Sequence, residues 1–458
     1  MHAQFVARAT KSTRPIHPVT QGDLPGRRKS AIGRTQMWLQ SVRFSAKPGE
    51  VALIPGDDGV AEVWLGMGET FSPDAFGVLP QSLPAGRYVI EGDLDPDQST
   101  LVAVAFGRGA YVFDRYKKSD APNVELVWPD GCDKVLAGAL IEGVTLGRDL
   151  INTPAQDMGP EQLSMEVQKV AKATGARCTV IEGAQLLRRN YPAVHAVGRA
   201  AAQAPRLVDL RWGKPSDPKL TLVGKGVTFD SGGLDIKPAS GMLLMKKDMG
   251  GAAIALGLAQ AIMQAELPVR LRLLIPAVEN AISGNAFHPL DVLSTRKGIT
   301  VEVGNTDAEG RLILSDALTE ACSEKPDLLI DFATLTGAAR VALGTEVPVM
   351  FASDDSVAEG ILASGEAVFE PVWRLPLHAP YRRFLDSKVA DISNVSSQSF
   401  GGAITAALFL KEFVEPEVPW VHFDVMAYNL DAQPARPQGG EAMALRAVFE
   451  YLQGRYNG

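Results

Sequence analysis

Residues 220–233 read LTLVGKGVTFDSGG, an apolar run that passes into glycines, a lysine and an aspartate. The apolar part is typical of a buried β-strand. Comparable runs occur along the second half of the chain, and helical patterns near 249–265, 311–323 and 402–414 lie between them. Strands are predicted at 206–212, 220–226, 269–278, 327–335, 347–352 and 418–425. This alternation predicts an α/β domain with a mixed, mostly parallel sheet covered by helices.

The chain of 458 residues is too long for one hydrophobic core, so at least two domains are expected. Between residues 35 and 135, short β-like runs separated by Pro, Gly and Asp predict a smaller N-terminal α/β domain. The runs are EVALIP, AEVWLGMG, RYVIEG and STLVAVAFGRGAYVF, and a helix is predicted near 133–150. The predicted division is a basic extension at 1–34, an N-terminal α/β domain at 35–150 and a catalytic domain at 151–458.

Charge is unevenly distributed along the chain. Residues 1–43 hold eight Lys and Arg but one acid, whereas the whole chain carries a net charge of −8. The basic segment has three interpretations: a frayed tail, a targeting presequence or a nucleic-acid-binding arm. The overall negative charge argues against nucleic acid as the main partner.

Several features favour a cytoplasmic protein without a membrane partner. The basic start lacks the apolar h-region of a secretory signal. Three separated cysteines, with no C-x-x-C pair, fit a reducing compartment. The longest apolar run, residues 249–263, is shorter than the ~20 residues that a membrane span needs.

Carboxylates and lysines follow the predicted strands, where α/β proteins place their sites. The candidates are Lys225, Asp230, Lys237, Asp248 and, from GNTDAEGRL at 304–312, Asp307, Glu309 and Arg311. Taken singly, an Asp beside glycines is more often a turn former. Four carboxylates in one cleft, however, would repel one another and raise one another's pKa unless cations neutralise them. Two divalent ions about 3.5–4 Å apart would remove that cost and activate a water.

Histidine chemistry is not indicated. The six histidines never pair at a metal-binding spacing, and the chain has no H-E-x-x-H motif. A lysine can be a metal ligand only as a neutral amine, and neighbouring cations would depress its pKa enough to allow this.

Three stretches closely resemble signature motifs of the leucyl aminopeptidase (cytosol aminopeptidase) family: VGKGVTFDSGGLDIKP, MKKDMGGAA and NTDAEGRLILSDAL. The resemblance covers at least residues 148–450 and is weaker in the N-terminal part, where GAYVFDRYK carries it. It implies a dinuclear metal aminopeptidase that removes the first residue from peptides with a free α-amine. It also implies a homohexamer.

The resemblance implies a role for each candidate ligand. The tighter metal site would use Lys225, Asp230, Asp248 and Glu309. The more exchangeable site would use Asp230, Asp307 and Glu309, so that Asp230 and Glu309 bridge the two ions. Zn²⁺ suits such amine and carboxylate ligands, and Mn²⁺ or Co²⁺ is also accepted by oxygen-rich sites.

Two cationic residues would act on the substrate rather than on the metals. By the same resemblance, Lys237 is the electrophile that stabilises the oxyanion of the tetrahedral intermediate. Arg311 would hold a bicarbonate ion, which acts as general base toward the water that bridges the metals.

The pocket for the first side chain of the substrate is implied at Met245, Thr334 and Gly337. The chain departs from the family near residues 424–427, where many relatives have DIAG: Met426 replaces a small residue and Ala427 a glycine. A smaller or differently shaped pocket is therefore expected, with a preference other than the family's preference for leucine. Two rival functions remain: a non-catalytic role in nucleic-acid binding through the basic arm, and a di-metal phosphoesterase.

Overall fold

The computed structural model describes residues 4–31, 33–57, 59–120 and 122–457, which divide into two compact units. The first comprises Met1–Thr145 with Asp431–Gln438, and the second comprises Leu146–Leu430 with Gly439–Gly458. The division at Thr145 lies close to the predicted domain boundary at residue 150. The return of 431–438 to the first unit was not predicted, because a local pattern carries no information on such a long-range contact.

The first unit is built on one sheet. Its strands are β1 Gln4–Val6, β2 Arg14–Val19, β3 Val51–Gly56, β4 Gly59–Gly66, β5 Gly86–Ile90 and β6 Val124–Val127. Its helices are α1 Leu24–Ser30, α2 Arg34–Ser41, α3 Leu79–Ser82, α4 Pro96–Gly109 and the first part of α5 Lys134–Asn152, with a 3-10 helix at Pro73–Val78. Among the described residues the strand order is β1-β6-β5-β2-β4-β3, with β3 antiparallel to its neighbour. An N-terminal α/β domain is thereby confirmed.

The basic segment belongs to this sheet, so the prediction of a separate extension at 1–34 is wrong. Strand β2 pairs in parallel with both β4 and β5. Arg14 Nη1 donates to the Tyr88 hydroxyl at 3.1 Å, and Arg28 Nη2 donates to the Phe44 carbonyl at 2.5 Å. The count of basic residues predicted an extension because it treated them as solvated. Long basic side chains can instead pack their aliphatic part on a domain while their charged ends reach polar partners.

One predicted strand is also wrong, since most of STLVAVAFGRGAYVF lies in helix α4. Asp95 caps this helix by accepting from the backbone N–H of Gln98, and Pro96 occupies its first turn. The residues from Val102 to Gly109 are all buried. A helix buried on every side has no polar stripe, so its sequence resembles that of a buried strand.

The second unit contains the larger sheet. Its strands are β7 Arg177–Glu182, β8 Arg206–Trp212, β9 Lys219–Gly224, β10 Gly226–Asp230, β11 Arg270–Asn280, β12 Val292–Ser294, β13 Thr300–Glu302, β14 Leu328–Ala333, β15 Val349–Ala352, β16 Trp373–Arg374, β17 Ile392–Ser393, β18 Trp420–Asp424, β19 Tyr428–Asn429 and β20 Gly439–Gly440. Its helices are α6 Pro160–Thr174, α7 Ala184–Arg188, α8 Pro192–Gly198, α9 Ala239–Met242, α10 Gly250–Gln264, α11 Glu309–Cys322, α12 Gly337–Leu343, α13 Asp355–Ala367, α14 Gly402–Lys411 and α15 Leu445–Tyr456. Short 3-10 helices lie at Ala155–Asp157, Met245–Met249 and Ala379–Leu385.

The predicted mixed, mostly parallel sheet is confirmed. In the described part of the chain its order is β16-β15-β18-β14-β9-β11-β8-β7, with β10 paired to β11. Strands β18, β14, β9 and β11 run parallel to one another, whereas β8 and β15 are antiparallel to their neighbours in this group. Every residue of β14 and β18 is buried, as expected when helices cover both faces of a sheet.

This topology brings distant segments to one edge of the sheet. The chain leaves β9 at Lys225, β14 at Thr334 and β18 at Val425, and parallel strands end on the same side. Within the described residues, no helix is long and apolar enough to cross a membrane.

Candidate metal centre

The five predicted metal ligands come together beyond the carboxyl ends of β9 and β10. Oxygen atoms of Asp230, Asp307 and Glu309 lie within 4.8 Å of one another. Lys225 Nζ lies 2.7 Å from Asp248 Oδ2 and 3.1 Å from Glu309 Oε1. Residues from five separate elements and loops therefore form one cluster.

Lys237 approaches the same cluster from the loop after β10. Its Nζ lies 2.8 Å from Asp230 Oδ2 and also contacts Asp307 Oδ1. Its side chain is 14% exposed, whereas that of Lys225 is 4% exposed. Lys237 is therefore the lysine of the cluster that a molecule from solvent can reach more easily.

The negative charge of the cluster exceeds its positive charge, which fits divalent cations. Four carboxylates face two ammonium groups. Glu309 Oε2 is buried and has no hydrogen-bond partner among the described residues. Burial, together with the negative charges of Asp230 and Asp248, raises the pKa of Glu309 to about 8 although Lys225 opposes the shift. Buried oxygen donors with unbalanced charge are the ligands that hard divalent ions require.

Two further groups of the cluster have shifted pKa values. Burial and the charge of Asp230 raise the pKa of Asp307 to about 6, against the effect of Lys237. Burial disfavours the charged form of Lys225, but the carboxylates of Asp248, Glu309 and Asp230 outweigh it and raise the pKa of this lysine. A metal at Lys225 would have to displace its proton, so metal binding at this centre is coupled to proton release.

Glycines allow the close approach of the ligands. A Cβ on Gly310, the second residue of α11, would stand 2.4 Å from Lys225 Cε. Glycine at this position thus leaves room for Lys225 to reach Glu309. Gly232 has a φ of +89°, and its N–H donates to Asp230 Oδ1 at 2.9 Å.

Two asparagines hold the cluster in place, and the sequence did not single them out. Asn280 Nδ2, at the end of β11, donates to Asp230 Oδ1 at 2.9 Å. Asn394 Oδ1 accepts from the N–H of Gly304 at 2.8 Å, and its Nδ2 donates to the carbonyl of Asn305 at 2.8 Å. Asn280 follows the predicted strand LIPAV. The rule that sites of α/β proteins lie beyond the carboxyl ends of strands could therefore have identified it.

Arg311 lies in the first turn of α11, two residues after Glu309. Its Nη1 donates to the Asn394 carbonyl at 2.6 Å, whereas its buried Nε has no acceptor among the described residues. Burial lowers the pKa of Arg311 to about 10, although Asp424 and Glu309 favour its charged form. The guanidinium therefore stays cationic at neutral pH and keeps a donor for an anion.

Of the predicted pocket residues, Thr334 contacts two of the predicted metal ligands. Thr334 Oγ1 donates to the Asp248 carbonyl at 2.9 Å, and the Thr334 carbonyl accepts from Lys225 Nζ at 2.9 Å. Met245 begins the 3-10 helix that contains Asp248, and Gly337 begins α12.

Met426 is buried and follows β18. The next residue, Ala427, has a φ of +56°, the left-handed region that favours glycine. The alanine thus keeps a backbone conformation suited to the glycine of the family motif.

Comparisons with known proteins agree with this architecture. The profile described as "Cytosol aminopeptidase family, catalytic domain" matches residues 145–449, and "M17 aminopeptidase, N-terminal domain" matches 14–129. A "Probable cytosol aminopeptidase" of Synechococcus sp. (strain WH7803) is 34% identical in an alignment of 457 positions that covers 92% of this chain and 91% of the relative.

Solved structures show the same likeness. The crystal structure of cytosol aminopeptidase from Coxiella burnetii has 48% identity and a TM-score of 0.94 over 99% of both chains. The bottromycin maturation enzyme BotP in complex with Mn has 34% identity and a TM-score of 0.87, over 97% of this chain and 100% of that chain.

The fold and the matched catalytic domain define a metal-dependent hydrolase that acts on peptides. The chain belongs to the cytosol aminopeptidase family, and the resemblance noted in its sequence is confirmed. It is accordingly an aminopeptidase.

Proposed function

We propose that this enzyme releases the N-terminal residue from peptides with a free α-amine, using two divalent metal ions. The observation that carries the proposal is the convergence of the five ligand side chains around Glu309, which has a buried oxygen without a partner among the described residues. Lys225, Asp230, Asp248, Asp307 and Glu309 would hold the ions. When bound, the metal pair would supply Lewis acidity and an activated water.

The ligand set supports Zn²⁺ or Mn²⁺ as the metals. Carboxylate oxygens accept either ion, and a lysine amine suits the borderline softness of Zn²⁺. The structure of BotP, a relative by fold and sequence, was determined with Mn.

Lys237 would stabilise the negative charge that develops on the scissile carbonyl oxygen. Its ammonium lies between Asp230 and Asp307 and is partly exposed to solvent. The neighbouring carboxylates outweigh burial and raise its pKa to about 12, so it carries a positive charge at neutral pH. A fixed cation beside a developing oxyanion lowers the barrier of acyl transfer.

Arg311 would hold the general base, a bicarbonate ion. The support is its cationic guanidinium, whose Nε has no acceptor among the described residues, two positions after the candidate ligand Glu309. A proton acceptor is needed for the attacking water, and no histidine was predicted for this task.

Assembly and location follow from the resemblance rather than from the chain itself. A homohexamer is proposed, and analytical ultracentrifugation would check it. The names of the relatives refer to the cytosol, which supports a cytoplasmic enzyme.

No observation favours either of the two rival functions. Nucleic-acid binding was expected to use a free basic arm, but the basic segment is part of a sheet. A phosphoesterase would not be an aminopeptidase, which is the activity of the family.

The first experiment measures release of the N-terminal residue from leucyl peptides with free and with acetylated amines, and includes an aryl phosphate. Activity on the free amine alone, lost on chelation and restored by Zn²⁺ or Mn²⁺, is the expected result. Equal cleavage of the acetylated peptide, or hydrolysis of the phosphate alone, would contradict the proposal.

A further inference from the structure

Two cationic side chains lie beside the residues proposed to bind the first side chain of the substrate. Lys247 lies in the 3-10 helix Met245–Met249, between the pocket residue Met245 and the ligand Asp248. Arg340 lies in α12, one turn after the pocket residue Gly337. Neither was singled out in the sequence.

Lys247 is a buried lysine without a hydrogen-bond or ion-pair partner among the described residues. Only 1% of the residue is exposed, and the acids whose charges favour its protonated form, Asp248 and Asp424, make no hydrogen bond or ion pair with its ammonium in the described part of the chain. The two nearest acids are already engaged. Asp248 pairs with Lys225, and Asp424 accepts from the N–H groups of Leu335 and Thr336 and from the Thr336 hydroxyl.

Arg340 points back toward the same pocket. Its Nη2 lies 3.5 Å from the position that a Cβ on Gly337 would occupy. Among the described residues its guanidinium forms no ion pair, and it lies close enough to Lys247 for the two positive charges to repel each other. Two unpaired cations therefore flank Gly337 and Met245.

A carboxylate in this pocket would remove an electrostatic cost that a leucine side chain would leave in place. Like charges in a poorly solvated site repel, and a buried cation without a partner is unfavourable. A carboxylate can accept charge-assisted hydrogen bonds from an ammonium and a guanidinium together. An apolar side chain would desolvate both cations and offer neither of them a partner.

We infer that this pocket selects peptides whose first residue is Asp or Glu, with the side-chain carboxylate bound between Lys247 and Arg340. The inference rests on the proposed function, since it names the substrate class of the same site. Lys247 and Arg340 are residues that determine specificity, whereas the metal ligands perform the same chemistry on every substrate.

The experiment compares kcat/KM for the p-nitroanilides of Glu, Gln and Leu, because Glu and Gln have the same shape and differ in charge. The wild-type enzyme is expected to prefer Glu over Gln by about tenfold or more. Lys247→Met should reduce this ratio by about tenfold or more and raise kcat/KM for Leu relative to that for Glu, and Arg340→Met should act in the same direction. Lys247→Glu should favour Arg and Lys as first residues.

Lys246→Met is the matched control, because the neighbouring Lys246 donates to the Asn152 carbonyl at 2.6 Å and has no part in the pocket. It should keep the wild-type Glu to Gln ratio. Each ratio is internal to one variant, so partial unfolding does not change it, and metal content is measured for every variant.

The outcomes separate the inference from the proposed function. Hydrolysis of Leu with equal rates for Glu and Gln, or an unchanged ratio in both Lys247→Met and Arg340→Met, would overturn the inference alone. If none of the three compounds is cleaved after metal is restored, the proposed function is overturned.

Discussion

The two ends of the central sheet in the second unit carry charged clusters that differ in their balance. At the carboxyl ends lies the metal centre, with Lys225 and Glu309 at its middle. At the amino ends lies the arginine cluster, defined here as Arg211, Arg270 and Arg272 with Asp209, Glu320 and Glu324. Helix α11 connects the two, since it begins at Glu309 and contains Glu320 near its end.

In the arginine cluster the charges pair with one another. Arg272 Nη2 lies 2.7 Å from Asp209 Oδ2 and 2.6 Å from Glu320 Oε1, and Arg211 Nη1 lies 2.5 Å from Glu324 Oε1. In the metal centre Glu309 Oε2 has no such partner among the described residues. The difference shows that a buried carboxylate oxygen without a partner, rather than the presence of charged residues, distinguishes the candidate metal centre.

The largest expected effect comes from removing the carboxylate at the centre of the metal site. Glu309→Ala should lose both metal ions and all measurable activity, because this side chain contacts Lys225 and adjoins Asp230 and Asp307. Metal analysis and turnover of a leucyl peptide check this. Glu320→Ala, in the same helix but in the arginine cluster, should keep metal and activity. Retained activity in Glu309→Ala would contradict the dinuclear proposal.

The next effect concerns the stability of the metal-free enzyme. Because burial and nearby acids raise the pKa of Glu309 to about 8, the folded state binds its proton more tightly than the unfolded state does. The free energy of unfolding should therefore fall as the pH rises from about 5 to 8, by an amount on the order of a few kcal/mol.

Thermal unfolding in the presence of a chelator, at pH 5 to 8, measures this dependence. Bound metal should remove most of it, because the ions neutralise the carboxylate. Glu309→Gln should flatten the curve of the metal-free enzyme. If the free energy of unfolding of the metal-free enzyme rises over the same interval, the neighbouring lysines already neutralise the carboxylates and the prediction is wrong.

Lys237→Met should lower kcat by about 10² to 10³ while the metal content stays unchanged. The reason is that its proposed contact with the oxyanion forms in the transition state, whereas the metal ligands act in the resting enzyme as well. Turnover and metal analysis on the same sample distinguish the two roles. Loss of metal in parallel with activity would instead make Lys237 part of the metal site.

The smallest effect is expected in the arginine cluster. Arg272→Met should lower the free energy of unfolding by about 2 kcal/mol, because it leaves Asp209 and Glu320 with fewer partners and these acids are partly exposed. The value of kcat/KM should not change.

Arg177→Ala provides the comparison for that substitution. Arg177 lies opposite Arg211 in the β7–β8 pair but makes no ion pair within the described residues. Its loss should change stability by less than about 0.5 kcal/mol. A fall in kcat/KM in Arg272→Met would show that the two clusters are coupled through α11.

Prediction from sequence succeeded where local patterns decide the structure. Strands β9, β14 and β18 were found from their uninterrupted apolar runs, and the candidate ligands from the residues that follow such strands. It failed where burial is uniform or charge is misleading. Helix α4 was taken for a strand because it is buried on all sides, and strand β2 was taken for a free basic extension.

Around the site, the sequence predicted the residues that belong to motifs. It missed the residues that hold the candidate ligands in place or line the pocket. Asn280 and Asn394 are ordinary residues in sequence, and their importance lies in hydrogen bonds to Asp230 and to the loop at 304–308. Lys247 stands beside another lysine in MKKDMGG, and no local rule states which of the two is buried beside the pocket.

The sequence by itself determined the α/β class, the family and the identity of the side chains that converge on the metal centre, because these depend on local patterns and residue types. The tertiary structure alone decided which charges are paired. Lys225 and Glu309 meet only because β9 and α11 are packed together. In the described part of the chain, Lys247 lacks a partner because Asp248 and Asp424 are engaged elsewhere. Burial and charge balance arise from contacts between distant segments, and these exist only in the folded chain.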